Sequence, residues 1–310
     1  MGKFVVRRLL QMVLVLLGAS AILFTALFVL PSDPVGSLGG SDRARDPVVI
    51  QELRHRYYLD KPLPVQYLHY LDRTLHGDLG ESFRLQRPVN QILGAKLMNT
   101  VRLALAAIAL EILLGITAGV VSAVWRYSFW DVFATLSTTI AVGFPTFVIG
   151  LIFQQAFALK LHWLPLSGQT QGLFRSIWLP ALTLASVDAA IMARLMRGTM
   201  LEVLRADYIR TAMAKGLSRR TVVLKHALRN SVIPVVTYIG IGFGTLLGGA
   251  IVTEVIFNWD GVGQALVTAI GAQDNPIVLG AVTYAVAAFV VINLLVDLSY
   301  AYLDPRIRLS

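Results

Sequence analysis

Six apolar runs constrain this chain more than any other feature. They are Leu9–Leu30, Leu103–Val124, Val132–Leu159, Ser176–Ala193, Ser231–Thr253 and Ile277–Val296. A helix rising 1.5 Å per residue needs about 20 apolar residues to cross roughly 30 Å of hydrocarbon. Within the runs only Glu111 and Asp188 carry charge. A single soluble core could not hide all six. The composition agrees: 56% of residues are apolar and only 15% charged, against about 25% charged in soluble domains. Disorder and coiled coil are excluded. There is no cysteine, which excludes disulfides, thiolate metal sites and a cysteine nucleophile. The expected fold is an all-α polytopic membrane protein with six transmembrane helices in a single domain.

The first run has some features of a signal peptide. Arg7 and Arg8 precede it, and Ala19-Ser20-Ala21 resembles a cleavage site. The apolar stretch continues unbroken to Leu30, however, and that length reads as a span.

The net charge of +9 raises the question of nucleic acid. Its distribution answers it. Lys3, Arg7 and Arg8 precede the first run, and Arg306 and Arg308 follow the last. Arg194–Asn230, between runs four and five, holds nine basic and two acidic residues, a net +7. An even number of spans puts these three regions on one side, which the positive-inside rule makes cytoplasmic. Ser32–Lys96 is nearly balanced, with nine basic against eight acidic residues, and is expected outside. In that stretch, turn signals at Pro31–Pro34, Gly39-Gly40, Pro62 and Pro64 separate two expected short helices, near Pro47–Tyr58 and Pro64–His76. The second places Val65, Leu68, Leu71 and Leu75 on one side, for packing against the outer face of the bundle. It reads as a simple cap or as a docking site for a partner.

Several chemistries are absent. No Gly-x-x-x-x-Gly-Lys-Ser/Thr phosphate loop and no Gly-x-Ser-x-Gly elbow occur. The five histidines do not pair within any helix turn, which leaves a metal site unsupported. The chain is therefore not expected to hydrolyse ATP. Glu111 and Asp188 stand inside apolar runs, with Asp297 near the end of the last. Intramembrane carboxyls are costly and point to function. The bland reading is a carboxyl facing the bundle interior, neutral or hydrogen-bonded. Glu111 falls about 16 Å into its helix if that helix starts near Thr100, a depth suited to a translocation path. Pro145 in the third run can kink or open a helix. In the fifth run Gly240, Gly244 and Gly248 form small-xxx-small pairs. Glu111, Pro145 and Gly244 are the candidate path residues, with ordinary tight packing as the competing account of the proline and the glycines.

Arg194–Asn230 is more than a connector. Leu201, Leu204, Tyr208 and Ala212 recur on one helical face, and Glu202/Arg205 and Asp207/Arg210 are i,i+3 opposite-charge pairs. Gly216 fits a left-handed helix end, and Ser218 can cap a second helix, with Leu217 and Val222 as a hydrophobic staple. That second helix is expected to end near Asn230, ahead of Pro234. A rigid turn rimmed by Arg210, Lys215, Arg219 and Arg220 would suit docking of a partner. Anchoring at both ends by spans argues against DNA-groove entry.

Here the chain resembles a known family. Arg210-Thr211-Ala212-x-x-x-Gly216 is similar to the cytoplasmic EAA loop of binding-protein-dependent ABC importer permeases. Asp207–Leu217 followed by His226-Ala-Leu-Arg-Asn230 resembles the dipeptide/oligopeptide/nickel branch, including its departures at Arg210-Thr211 and Arg229 from the broader Glu-Ala and proline pattern. Further matching stretches are Leu30–Pro34, Tyr58–Pro62, Gln66-Tyr67, Gly77–Ser82, Gly249–Glu254, Phe257, Gly261–Gly263, Asn293–Asp297 and Asp304–Arg308. The resemblance implies the MetI-like six-span importer fold in a bacterial inner membrane. It further implies a second homologous permease, two cytoplasmic ABC ATPases that bind ATP and Mg, and an external solute-binding protein. No cofactor is expected in this chain beyond contact with lipid. Arg210, Thr211, Ala212 and Gly216 are the family-matched coupling positions. Tyr208, Lys215, Leu217 and Arg219 join them from the physical reading. A peptide cargo ranks first, with glutathione or nickel within the same branch as alternatives. An ion-coupled carrier working alone is the reading from a different class.

Overall fold

The computed structural model describes residues 2–29, 51, 55, 60–168 and 172–303. The expected helix near Pro47–Tyr58, the Leu30–Pro34 turn, Arg306 and Arg308 fall outside these residues. So do the side-chain surroundings of Gly240, Gly244, Gly248 and Asp297. The described chain is helical throughout its elements. Four helices are long and apolar enough to span a membrane, and a bent pair makes a fifth crossing when read as one span. The helix carrying the fifth run, Leu228–Ile256, has 29 residues, about 43 Å at the α-helical rise.

The chain divides into two compact units, residues 1–100 with 260–310, and residues 101–259. The first contains α1 (Gly2–Val29), α2 (Leu63–Leu75), the start of α3 (Val89–Val124), α11 (Val262–Gly271) and α12 (Asn275–Leu303). Its core gathers Leu79, Val89, Leu93, Val262, Ala269, Ile277, Val278 and Ala281. A Cβ on Gly280 would stand 2.6 Å from Val89 Cγ1, so α12 crosses α3 closely. The turn before α3 is built by its polar groups. The Asp78 carboxylate accepts from Arg73 Nη2 at 2.7 Å and from the Gly80 N–H at 2.9 Å. Partial burial pushes that carboxyl up, but the Gly80 N–H and the Arg73 guanidinium outweigh it and hold it below its ordinary value. The buried Asp274 carboxylate accepts from the Ser82 hydroxyl and from the Phe83 N–H. Pro88 then opens α3, its carbonyl accepting from Gln91 and Ile92. The helix therefore starts at Val89 rather than near Thr100, and the 16 Å depth assigned to Glu111 does not hold.

Helix α2 forms close to its expected bounds, but a different face packs. Tyr67 and Tyr70 lie against Phe24 of α1, with ring centroids 5.4 and 5.9 Å away. Their hydroxyls reach Ser20 and Thr283 at 2.9 and 2.7 Å. Val65, Leu68 and Leu75 are exposed instead. Aromatic rings with a polar tip satisfy both packing and hydrogen bonding at a half-wet position, which an aliphatic stripe cannot.

The second unit contains the rest of α3, then α4 (Phe129–Gly143), α5 (Thr146–Phe153), a π-helical stretch Gln154–Lys160, α6 (Leu173–Ser176), α7 (Trp178–Val203), α8 (Asp207–Ala214), α9 (Arg219–Thr221), a second π-helical stretch Val222–Ala227, and α10 (Leu228–Ile256). Helix α7 is its axis, packing on α10, α4 and α5. Met192, Met196 and Met200 form a fully buried stripe along it. Cβ atoms added at Gly115 and Gly119 of α3 would meet Met192 and Met196 at 2.8 and 2.6 Å. That close approach comes from a Gly-x-x-x-Gly pair, which the sequence reading missed while attending to the glycines of the fifth run.

The third run is not one straight span. Helices α4 and α5 meet at 114°. Phe144, preceding Pro145, adopts φ −105°, ψ 141°, because the proline ring disfavours helical geometry before it. The helix restarts at Thr146, with the Pro145 carbonyl accepting from Val148 and Ile149. Exposed aromatics mark both ends of this unit, Trp125, Tyr127, Phe129 and Trp130 at one and Trp163, Phe174 and Trp178 at the other. Such amphipathic rings favour the membrane–water boundary.

Candidate functional site

The stretch between α7 and α10 departs from expectation in its extent. Helix α7 continues through Val203, so the first ten residues of Arg194–Asn230 prolong the fourth span. The chain turns over Leu204–Ala206 and enters α8. One side of α8 is anchored: Ile209 and Ala212 are buried among Met192, Met196, Met200, Val222, Val223 and Val235. The opposite side exposes Tyr208, Arg210, Thr211, Met213 and Lys215. Ala212, matched by resemblance to a coupling position, thus faces inward.

The helix ends in a Schellman motif. The Leu217 N–H donates to Ala212 O at 3.3 Å and the Gly216 N–H to Met213 O at 2.9 Å. Gly216 has φ +78° with nothing within 4 Å of an added Cβ. Its requirement is conformational, not spatial. Ser218 caps α9 by accepting from the Thr221 N–H at 3.3 Å. Of the expected Leu217–Val222 staple, Val222 is buried and Leu217 partly exposed. The second helix does not stop near Asn230. It passes through the π-helical stretch straight into α10, with Pro234 inside that helix. Proline is tolerated there by local readjustment of the backbone.

Three ties bind this knob to the spans of its unit. Arg219 Nη2 donates to Val124 O, at the last residue of α3, at 3.0 Å. Asn230 Nδ2 donates to the Tyr208 hydroxyl at 2.8 Å. The Ile209 and Ala212 side chains complete the anchor on α7. Arg219 is therefore engaged with a helix end, where a cation offsets the negative pole of the macrodipole. The outward surface combines exposed Tyr208, Met213, Leu217 and Leu224 with Arg210, Lys215 and Arg220, an apolar patch with a basic rim. Arg210 also pairs with Asp207 at 3.5 Å.

Sequence reasoning also missed a lock beside the knob. Arg197 of α7 grips Asp131 of α4 through Nε at 2.8 Å and Nη2 at 3.0 Å. Asp131, 4% exposed, accepts further from the Ser122 hydroxyl and from the Tyr127 N–H. In the sequence Arg197 is one of the nine basic residues of Arg194–Asn230, and Ser128 caps the helix start one turn ahead of Asp131.

The candidate path residues are reached from three helices. Glu111 of α3 is 2% exposed. It lies within electrostatic range of Asp188 of α7 and of Tyr238 of α10. The Tyr238 hydroxyl donates to Asp188 Oδ1 at 3.1 Å. Pro145 acts separately, at the α4–α5 break. Gly244 lies within α10. Among the described residues no group of three or more histidine, aspartate or glutamate side chains could hold a metal.

An all-helical polytopic chain with a capped, anchored knob between two spans fits a translocation subunit of the importer type. The chain belongs to the family of binding-protein-dependent transport system inner membrane components. That family's model matches residues 115–309, and the model for its N-terminal part matches residues 1–104. The chain is 41% identical over 308 residues to the glutathione transport system permease protein GsiC of Pectobacterium atrosepticum, covering 99% of each chain. Its counterparts in Escherichia coli and Salmonella choleraesuis are each 40% identical, over 311 and 309 residues, again with 99% of each covered. The protein is accordingly a multi-pass inner-membrane permease of an ABC importer, working with ATPase and solute-binding subunits.

Proposed function

We propose that this permease carries small peptides of the size of di- and tripeptides, including glutathione, through a path formed with a second homologous permease. Two ABC ATPases bind ATP and Mg and supply the energy, and the solute-binding protein delivers cargo from outside. The GsiC relatives support glutathione within this class. Both termini and the knob lie in the cytoplasm, in keeping with the net +7 of Arg194–Asn230. The observation that carries the reading is the knob itself. Its inner side is tied to α3, α7 and α10, while its outer side offers Tyr208, Arg210, Thr211, Lys215, Gly216 and Leu217 to a groove on an ATPase. Closure of the ATPases pushes the knob, and the ties transmit the displacement to three spans at once.

The test is reconstitution of the permease pair, ATPases and binding protein in proteoliposomes, with uptake of radiolabelled glutathione and dialanine. ATP-dependent uptake of at least one, absent without the ATPases, is expected. Uptake of either by this chain alone under an ion gradient would instead establish a secondary carrier.

A further inference from the structure

Glu111 occupies an unusual position for a carboxyl. It is 2% exposed, sits inside a helix long and apolar enough to span the membrane, and has no hydrogen-bond partner among the described residues. Among the described residues no cation pairs with it, and Arg194 of α7 acts on the neighbouring Tyr238 hydroxyl. Its electrostatic neighbours are another carboxyl, Asp188, and the Tyr238 hydroxyl. Asp188 is half-buried and accepts one hydrogen bond, from Tyr238. Burying a carboxyl without a counter-charge costs free energy, and a second carboxyl nearby compounds it. Packing gives no reason for the arrangement, because a leucine at 111 would fill a similar volume without burying a polar group. Two carboxyls and a phenol from α3, α7 and α10 come together here, and the phenol proton already serves Asp188, which leaves Glu111 without a donor.

We infer that Glu111, Asp188 and Tyr238 form an intramembrane subsite for the α-ammonium group of the cargo. An ammonium has three N–H donors and no acceptor, which complements two carboxyls and a phenol oxygen. A peptide amino terminus, with an ordinary pKa of about 8, is charged at neutral pH. Asp188 and Tyr238 are the more accessible of the three and Glu111 the most buried, so the first two would give the first contact. The same three helices are tied to the cytoplasmic knob through Arg219–Val124, Ile209 and Tyr208–Asn230. Movement of the knob thus acts on the helices that carry the subsite, so cargo would be held in one state and released in another. The inference rests on the proposed peptide cargo and identifies the chemical group that the path recognises.

The test uses the assembled permease–ATPase complex in lipid nanodiscs, without the binding protein. Saturation-transfer NMR is recorded with dialanine and with N-acetyl-dialanine, which lacks the ammonium. Dialanine should give a signal at its Cα proton that the acetylated compound does not. That signal should fall about tenfold in Glu111→Gln, the scale of one lost charge-assisted hydrogen bond, and be largely restored in Glu111→Asp. Asp188→Asn provides the same reading should Glu111→Gln fail to assemble, as judged by size-exclusion elution. Equal signals from the two compounds, or an undiminished dialanine signal in an assembled variant, would overturn the subsite. Loss of ATP-driven uptake of both cargoes by the parental transporter is a separate result that removes the peptide reading itself.

Discussion

Arg219 donates from its guanidinium to the carbonyl of Val124, 95 positions earlier in the chain. The bond links the turn after α8 to the C-terminal end of α3, the helix that carries Glu111. A basic side chain at a helix end stabilises it by about 0.3–1 kcal/mol. Because Arg219 is exposed, the stability effect of removing it should be small. Its mechanical effect should be larger. In Arg219→Gln, cargo moved per ATP hydrolysed should drop severalfold while hydrolysis continues, and Arg219→Lys should lie between. An unchanged ratio of uptake to hydrolysis would mean that the tie transmits nothing.

Gly216 should be sensitive to backbone conformation and insensitive to side-chain size. Its φ of +78° is strained for residues with a Cβ, while space around it is open. The left-handed region costs about 1–2 kcal/mol for most residues and least for asparagine. Gly216→Asn should therefore retain most ATP-driven uptake, and Gly216→Val should lose most of it, although asparagine and valine are similar in volume. Equal impairment in both would show that size at the partner surface, not the turn, governs this position.

The α3–α7 contact should tolerate no added methyl at Gly119. A Cβ there would meet Met196 Cβ at 2.6 Å and the Ala193 carbonyl at 2.7 Å, and backbone cannot rotate away. Overpacking of this kind costs about 1–3 kcal/mol. Gly119→Ala should lower the thermal unfolding midpoint of the detergent-solubilised protein. Gly198→Ala, on α7 with nothing within 4 Å of its Cβ, should leave the midpoint unchanged or raise it, alanine being the better helix former. The contrast is the check, since both substitutions add the same atoms.

These sites show what a single sequence discloses and what it hides. Gly216 and Ser218 announce themselves because a helix end is decided by a few adjacent residues. The apolar runs are legible because each must satisfy its own backbone in lipid. The lock between Asp131 and Arg197 was illegible: 66 residues separate the partners, and Arg197 looked like any other inside positive charge. Glu111 and Asp188 stood out one at a time, but their proximity depends on how α3 and α7 pack. Pro145 signalled a disturbance without its size, because a proline within a run is compatible with a gentle kink or with a 114° break. Helix α2 misled through its leucines, since periodicity marks an apolar face but does not say which face finds a partner.

The Arg73–Gly80 turn should show a pH response of a definite sign. The Asp78 carboxyl lies below its ordinary value, so its contribution is present above about pH 4 and is lost as pH falls through the lowered folded-state value. The side chain is half exposed, so screening keeps that contribution well under 1 kcal/mol. Hydrogen exchange at the Gly80 N–H, which Asp78 accepts at 2.9 Å, reads it locally. Relative to the exchange rate of an unstructured amide at each pH, protection should be constant from pH 7 to pH 5 and then fall towards pH 3. In Asp78→Asn it should be lower at neutral pH and flat across the range. A variant with the parental pH profile would assign the response to another group.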